Sequence, residues 1–291
     1  MEILAQTVIT GLLLGGVFGL IAMGLSLVFG VMRIINFAHG NLVLLGMYTV
    51  LLLYTTFGIN PFLALLIVVP IGLLLGAALQ SVLFARLRNA GELPQLLLTL
   101  GLGIIIQSLV QVFFSPTQKS LHEFAWGSEL IAVGGIYLRP AHVVGFVIAV
   151  AITIGLTFLL KSTDFGRQMR ATVDDAEMAE SSGVRSKRIY VIVVALGTCI
   201  ALVAGGVLIT YQPASPTLGN QFLVLAFVAV VLGGLGNIIG AFIGGLIAGT
   251  VQQLTAAYVS VGLQDVGLFT LFILVLIFRP NGLFGRTEVT A

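Results

Sequence analysis

Charge is what this chain has least of. Only 8% of its 291 residues are charged and 58% are hydrophobic, whereas a soluble domain carries about a quarter charged residues. A water-soluble globule is excluded, and the chain reads as an integral membrane protein. Acids are scarcer still: none occurs between Glu2 and Glu92, and none lies centrally in a long apolar run. Proton-coupled carriers place Asp, Glu or His inside the bundle, so His39 is the one candidate relay, and a secondary carrier is disfavoured. A Na⁺ site made of backbone carbonyls remains compatible. The single cysteine, Cys199, makes no internal disulfide and reads as a small core residue.

Other chemistry is also missing. No G-x-x-x-x-G-K-[ST] loop, HExxH helix, Cys/His cluster or Ser/His/acid set is present, so the chain reads as neither an ATPase nor another enzyme, with no metal or cofactor. A formal charge of +2 provides no broad basic surface, and nucleic acid is not an expected partner. No Lys or Arg precedes the first apolar stretch, which is longer than a signal-peptide core, so the first span is expected to be retained.

What is present is a series of apolar runs long enough to cross a bilayer, which needs roughly 20 residues per helix. They lack the alternation of a transmembrane barrel. Nine spans are expected: Ile3 to Phe29, Asn41 to Phe57, Phe62 to Phe84, Leu93 to Phe114, His142 to Leu160, Ile189 to Tyr211, Phe222 to Leu235, Ile238 to Tyr258 and Val266 to Phe278. The expected fold is therefore all-α, a polytopic bundle of 8 to 9 transmembrane helices, one or two of them discontinuous, forming one domain over residues 1–291. The second and seventh spans are short, and short or glycine-interrupted segments in corresponding halves mark transport sites.

If the nine spans alternate, Arg33, Arg86, Arg88, Lys161, Arg167, Arg170, Arg185, Lys187, Arg188, Arg279 and Arg286 fall on one side, which the positive-inside rule makes cytoplasmic. Ser115 to Pro140, with Lys119, Glu123, Trp126, Glu129 and Arg139, then lies outside. Gly11, Gly15 and Gly19, and Gly236, Gly240 and Gly244, recur every four residues. Such stripes let backbones approach closely, either within one subunit or across a dimer. Leu27 to Val50 and Val231 to Val251 read as counterparts in an internal repeat.

Two segments carry candidate function. Asn36, His39 and Asn41, next to Gly40, form a polar break between apolar runs. It reads either as a broken helix beside a substrate path or as a cytoplasmic turn capping the next helix. The second segment, residues 161–188, concentrates charge between apolar runs. Asp174 followed three residues later by Glu177 has capping-box spacing, predicting a helix from Asp175 to Ser182 ended by Gly183, with Ala176 and Ala179 on one small face. Gly233, Gly234 and Gly236 mark a hinge or a tight turn, with the turn as default. Gln107, Gln111, Gln252 and Gln253 either line a pathway or join helices through amide hydrogen bonds.

The run Gly166-Arg167-x-x-Arg170-Ala171-x-x-Asp174-x-x-x-x-Ala179-x-x-x-Gly183-Val184 resembles the cytoplasmic loop of branched-chain amino-acid ABC importer permeases. So do Ile35 to Gly40, Val231 to Asn237 with Gly240-Ala241, and Arg279 to Gly285, in the same order. Asn237 departs from the resemblance, since Ser is common there. The chain is similar to the shorter permease subunit of such importers. That resemblance implies a homologous second permease, two cytoplasmic ABC ATPases, an extracytoplasmic substrate-binding protein and a place in the bacterial cytoplasmic (inner) membrane. It makes Asp174 to Gly183 the coupling helix, with Gly166, Arg167, Arg170, Asp174, Glu177, Ala179 and Gly183 as coupling residues. Asn36, His39, Gly40, Gly233, Gly234 and Gly236 stand as pathway or hinge candidates. The implied function is half of a translocation pathway for branched-chain or other small hydrophobic amino acids. A urea or short-chain amide importer, a stand-alone channel or carrier, and a non-conducting scaffold are the alternatives.

Overall fold

An apolar segment in lipid must satisfy its own backbone, and these runs do so as helices. The computed structural model describes residues 2–87, 90–121, 124, 129–133 and 135–285; Arg88, Glu123, Trp126 and Arg286 of the charge pattern lie outside the described residues. The helices are α1 (Glu2–Met32), α2 (His39–Phe57), α3 (Pro61–Leu79), α4 (Glu92–Phe114), α5 (Pro140–Ser162), α6 (Asp164–Asp174), α7 (Ala176–Ser181), α8 (Ser186–Leu208), α9 (Leu218–Gly233), α10 (Ile238–Tyr258) and α11 (Gln264–Phe278). A π-turn at Gln80–Phe84 prolongs α3. Among the described residues 8 helical stretches are long and apolar enough to cross a membrane, and Leu218–Gly233 is a shorter apolar helix. A two-stranded hairpin, β1 (Ile131–Val133) with β2 (Ile136–Leu138), follows α4. Gln6 holds it to the start of α1, donating to the Tyr137 carbonyl at 2.6 Å and accepting from the Tyr137 amide at 2.8 Å.

α1 and α8 are the most enclosed helices, and α11 is the most peripheral. The glycine stripe of α1 is used inside the chain. A Cβ at Gly11 would lie 2.7 Å from Thr250 Cα and one at Gly15 2.8 Å from Leu246 Cα, while Gly245 and Gly249 face Gly19 and Gly15 in return. The α1 and α10 backbones therefore touch along most of their length, and a dimer seam is not what this stripe supplies. α3 meets α8 in the same way, with Gly72 against Cys199 and Gly76 against Ala195. Cys199 is the small buried residue of that contact.

Direction follows from the same contacts. Gly24 of α1 meets Gly197 of α8, whereas the earlier Val17 and the later Val207 both reach Gly145, so α1 and α8 run antiparallel. Each is followed by a chain reversal and a helix, α2 or α9, that starts inside the bundle. The first turns of those two helices touch, Gly40 against Gly219. α1–α2–α3 and α8–α9–α10 thus trace matching paths of opposite direction, with α3 packed on α8 and α10 on α1. This is an inverted repeat of the kind that places a site between its halves. The counterpart of α2 is α9, not the 231–251 segment expected from glycine content. What repeats is the backbone path, and glycine spacing tracks only where backbones touch.

Candidate functional site

The polar break lies deep in the bundle. His39 Nε2 is 2.9 Å from the Ile21 carbonyl; a carbonyl only accepts, so Nε2 carries the proton. Ile21 precedes Arg33 by twelve residues of α1, about 18 Å at 1.5 Å per residue. Residues 33–38 therefore run back along α1, and α2 begins well inside it, a broken-helix geometry instead of a surface turn. Asn36 organises the return: its side-chain oxygen accepts from the Ala38 amide at 3.0 Å and its carbonyl from the His39 amide at 3.1 Å. Asn36, His39 and Asn41 are all buried.

Asn41 sits where α2, α4 and α9 converge. Its amide nitrogen lies against Gly103 and its Oδ1 against Gly219, and that oxygen has no hydrogen-bond partner. Gly40 leaves no room for a side chain, because a Cβ would collide with the Gly219 carbonyl and approach Leu223 N to 2.6 Å. The junction thus brings together two helix N-termini, whose first-turn amides have no intrahelical acceptors, and an orphaned buried amide oxygen. It is closed and polar, surrounded by apolar core.

The charged segment is built differently from its sequence reading. Asp175, not Asp174, caps the short helix: its side chain accepts from the Glu177 and Met178 amides, both at 2.9 Å. Asp174 is the last residue of α6. Asp175 alone leaves helical geometry, with φ −156° and ψ 108°, and so marks the break. Glu177 is then the second helical residue, one short of the position a capping box requires. The helix also spans Ala176–Ser181 instead of 175–182.

The C-terminal end follows expectation. Gly183 has φ 88°, its amide donates to the Glu180 carbonyl and the Val184 amide to the Ala179 carbonyl, both at 3.0 Å, which is a Schellman ending. Ala179 is buried within the chain itself, so the small face of this helix points inward. Met178 points outward, 71% exposed, beside exposed Glu177 and Glu180. Sequence reasoning missed Met178; it was detectable as the only large apolar side chain between Asp174 and Ser182.

Gly166 and Arg170 both address the Leu160 carbonyl. A Cβ at Gly166 would collide with it, and Arg170 Nη1 donates to it. Together they hold the bend from α5 into α6. Arg167 pairs with Asp164 on the exposed face, an arrangement of small energetic weight.

Gly233, Gly234 and Gly236 form the tight turn between α9 and α10. Gly234 and Gly236 adopt φ of 98° and 79°, which only glycine takes without strain. Gly233 packs against Gly240. Asn237 caps α10 by accepting from the Gly240 amide at 2.9 Å and donates to the Phe284 carbonyl at 3.0 Å, clamping the C-terminal segment onto the turn. Gln252 donates to Asp265 at 2.8 Å, joining α10 to α11.

A cavity of about 1210 Å³ opens at the end of the bundle that carries Arg33, Lys161 and Arg170. Of the sequence candidates it is lined by Arg170 and Gly236; Asn36, His39 and Gly40 do not reach it. Arg33 lies at its wall with φ 54°, a left-handed conformation that costs about 1 kcal/mol or more in a non-glycine residue.

Comparison with known proteins agrees with this architecture. A family model described as the permease component of the branched-chain amino acid transport system matches residues 7–278. The high-affinity branched-chain amino acid permease protein BraD of Pseudomonas aeruginosa is 30% identical over 98% of this chain and 96% of its own length. LivH of Salmonella typhimurium is 31% identical with the same coverage. The fructose import permease FrcC of Rhizobium meliloti is 28% identical over 66% of this chain and 55% of its own. No solved structure matches. With the family model spanning nearly the whole chain and relatives matching end to end, the chain belongs to the permease components of branched-chain amino acid ABC transport systems.

Proposed function

We propose that this chain carries branched-chain amino acids across the cytoplasmic membrane by alternating access, with the α2–α9 junction as its central gate. Two helices that begin inside the bundle, run in opposite directions and touch at Gly40 and Gly219 carry this reading. Helix N-termini favour a carboxylate, and the unpartnered Asn41 oxygen is an acceptor for an ammonium group. Opening the junction would expose both to an amino acid. The positive-inside rule supports a cytoplasmic location for Arg33, Lys161, α6 and α7, and places the Ile131–Leu138 hairpin outside.

Transport in such a system draws on ATP hydrolysed by partner subunits. α7 is the docking element in this reading, with Met178 entering an apolar recess of an ATPase and Glu177 and Glu180 flanking it. Gly166 and Arg170 make α6 a rigid lever on the end of α5. A homologous second permease completes the pathway, and a binding protein delivers substrate on the hairpin side. Nucleotide shifts the gate only through its differential affinity for the two states of the complex.

Reconstitution of the chain with its second permease, both ATPases and the binding protein in vesicles tests this directly. ATP-dependent uptake of leucine, isoleucine or valine is expected. Uptake of urea or a short-chain amide in their place would assign the complex to a different substrate, and ATP-independent flux would assign the chain to the channels or carriers.

A further inference from the structure

The charged cavity carries an inference beyond the gate. Its wall holds three cationic side chains, Arg33 at the end of α1, Lys161 at the end of α5 and Arg170 on α6, and one carboxylate, Glu92, at the start of α4. Three positive charges less one leave the wall at +2. Among the described residues the one ion pair is Arg167 with Asp164, so none of these four groups neutralises another at contact distance. Arg33 occupies a left-handed position that glycine would fill without strain, and it lines the cavity. The same wall carries apolar side chains, Phe37 and Leu96 among them.

We propose that this cavity binds an anionic phospholipid, its phosphate among Arg33, Lys161 and Arg170 and its acyl chains against Phe37 and Leu96. The proposal rests on the orientation argued above, which puts the cations at the depth of the cytoplasmic headgroups. Basic pockets between transmembrane helices on that side hold anionic headgroups. A substrate vestibule fits less well, since none of Asn36, His39, Gly40 and Asn41 contributes to the wall. The charge is also of predominantly one sign, which suits a phosphodiester better than a zwitterion. A lipid seated there would brace α1, α5 and α6, the elements linking the docking helix to the bundle.

The test uses the assembled complex, exchanged into phosphatidylcholine nanodiscs with or without phosphatidylglycerol, then detergent-washed, with retained lipid quantified by mass spectrometry and the thermal midpoint measured alongside. Phosphatidylglycerol should be retained over phosphatidylcholine and should raise the midpoint. Each basic side chain is worth about fivefold in binding an anionic surface, so Arg33→Gln with Lys161→Gln should weaken retention by roughly 25-fold, and Arg33→Lys alone should preserve it. Arg170 is left intact because it holds the α5–α6 bend. Equal retention of both lipids, or an unchanged double variant, would overturn the proposal. Stabilisation by soluble glycerol 3-phosphate without phosphatidylglycerol retention would assign the site to a free anion, and stabilisation by leucine to the substrate. Both readouts are independent of transport, so failure here leaves the gate assignment standing.

Discussion

Adding one methyl group at Gly40 should jam the gate. In Gly40→Ala the new carbon overlaps the Gly219 carbonyl and lies 2.6 Å from Leu223 N, whereas carbon contacts settle at about 3.5–4.0 Å. α2 and α9 must part by about 1 Å or more, because both opposing atoms are backbone and no side chain can turn away. Overpacking of this kind costs about 1–3 kcal/mol, offset by at most about 1 kcal/mol from alanine's better helix propensity. A net penalty of about 1.4 kcal/mol on the closed junction is a tenfold change in the ratio of closed to open states. Proteoliposome uptake of leucine should fall by about that factor while ATP hydrolysis persists, which uncouples the two. Gly101→Ala is the control, since nothing lies within 4 Å of a Cβ there; it should transport normally. Uptake by Gly40→Ala equal to that of Gly101→Ala would refute the gate.

Four further outcomes follow from the same geometry. Met178→Arg should abolish co-purification of the ATPases while leaving the thermal midpoint unchanged, because the side chain is exposed; Ala179→Arg should instead lower the midpoint, because that position is buried. Asp175→Ala should destabilise α7 by about 1 kcal/mol through loss of its cap, and Asp174→Ala should be near neutral, as read by hydrogen exchange over residues 175–183. Asn237→Ser should keep the α10 cap but lose the bond to Phe284, leaving the C-terminal segment more susceptible to proteolysis than in wild type. Gly183→Ala should cost about 1 kcal/mol because φ there is 88°, seen as faster exchange of the Val184 amide.

Sequence resolved the spans because uninterrupted apolar runs declare their own length, and helix ends fell within a few residues of expectation. It also resolved the α9–α10 turn, where glycine is needed for positive φ. Three features depended on tertiary contact and stayed hidden. The depth of α2 is set by the His39 bond to Ile21, eighteen residues earlier, and no local signal separates a deep reversal from a surface turn. The partner of the α1 stripe became visible only once Gly15 and Gly249 were seen to touch. Asp174 and Asp175 are chemically equal caps on paper; the choice falls to Asp175 because α6 continues through Asp174 before the chain extends. Asn237, odd against its resemblance, gained a reason in its second bond, which the shorter serine side chain does not reach.

The central claim is that the α2–α9 junction opens to opposite sides of the membrane in turn. The most direct test is Asn41→Cys in a Cys199→Ser background, reconstituted in the full complex and probed with a membrane-impermeant maleimide from either side, with and without ATP. Labelling from one face in the nucleotide-free state and from the other in the ATP-bound state is the expected result. A cysteine at position 41 that stays unreactive from both faces in both states, in a complex that still transports leucine, would contradict the account.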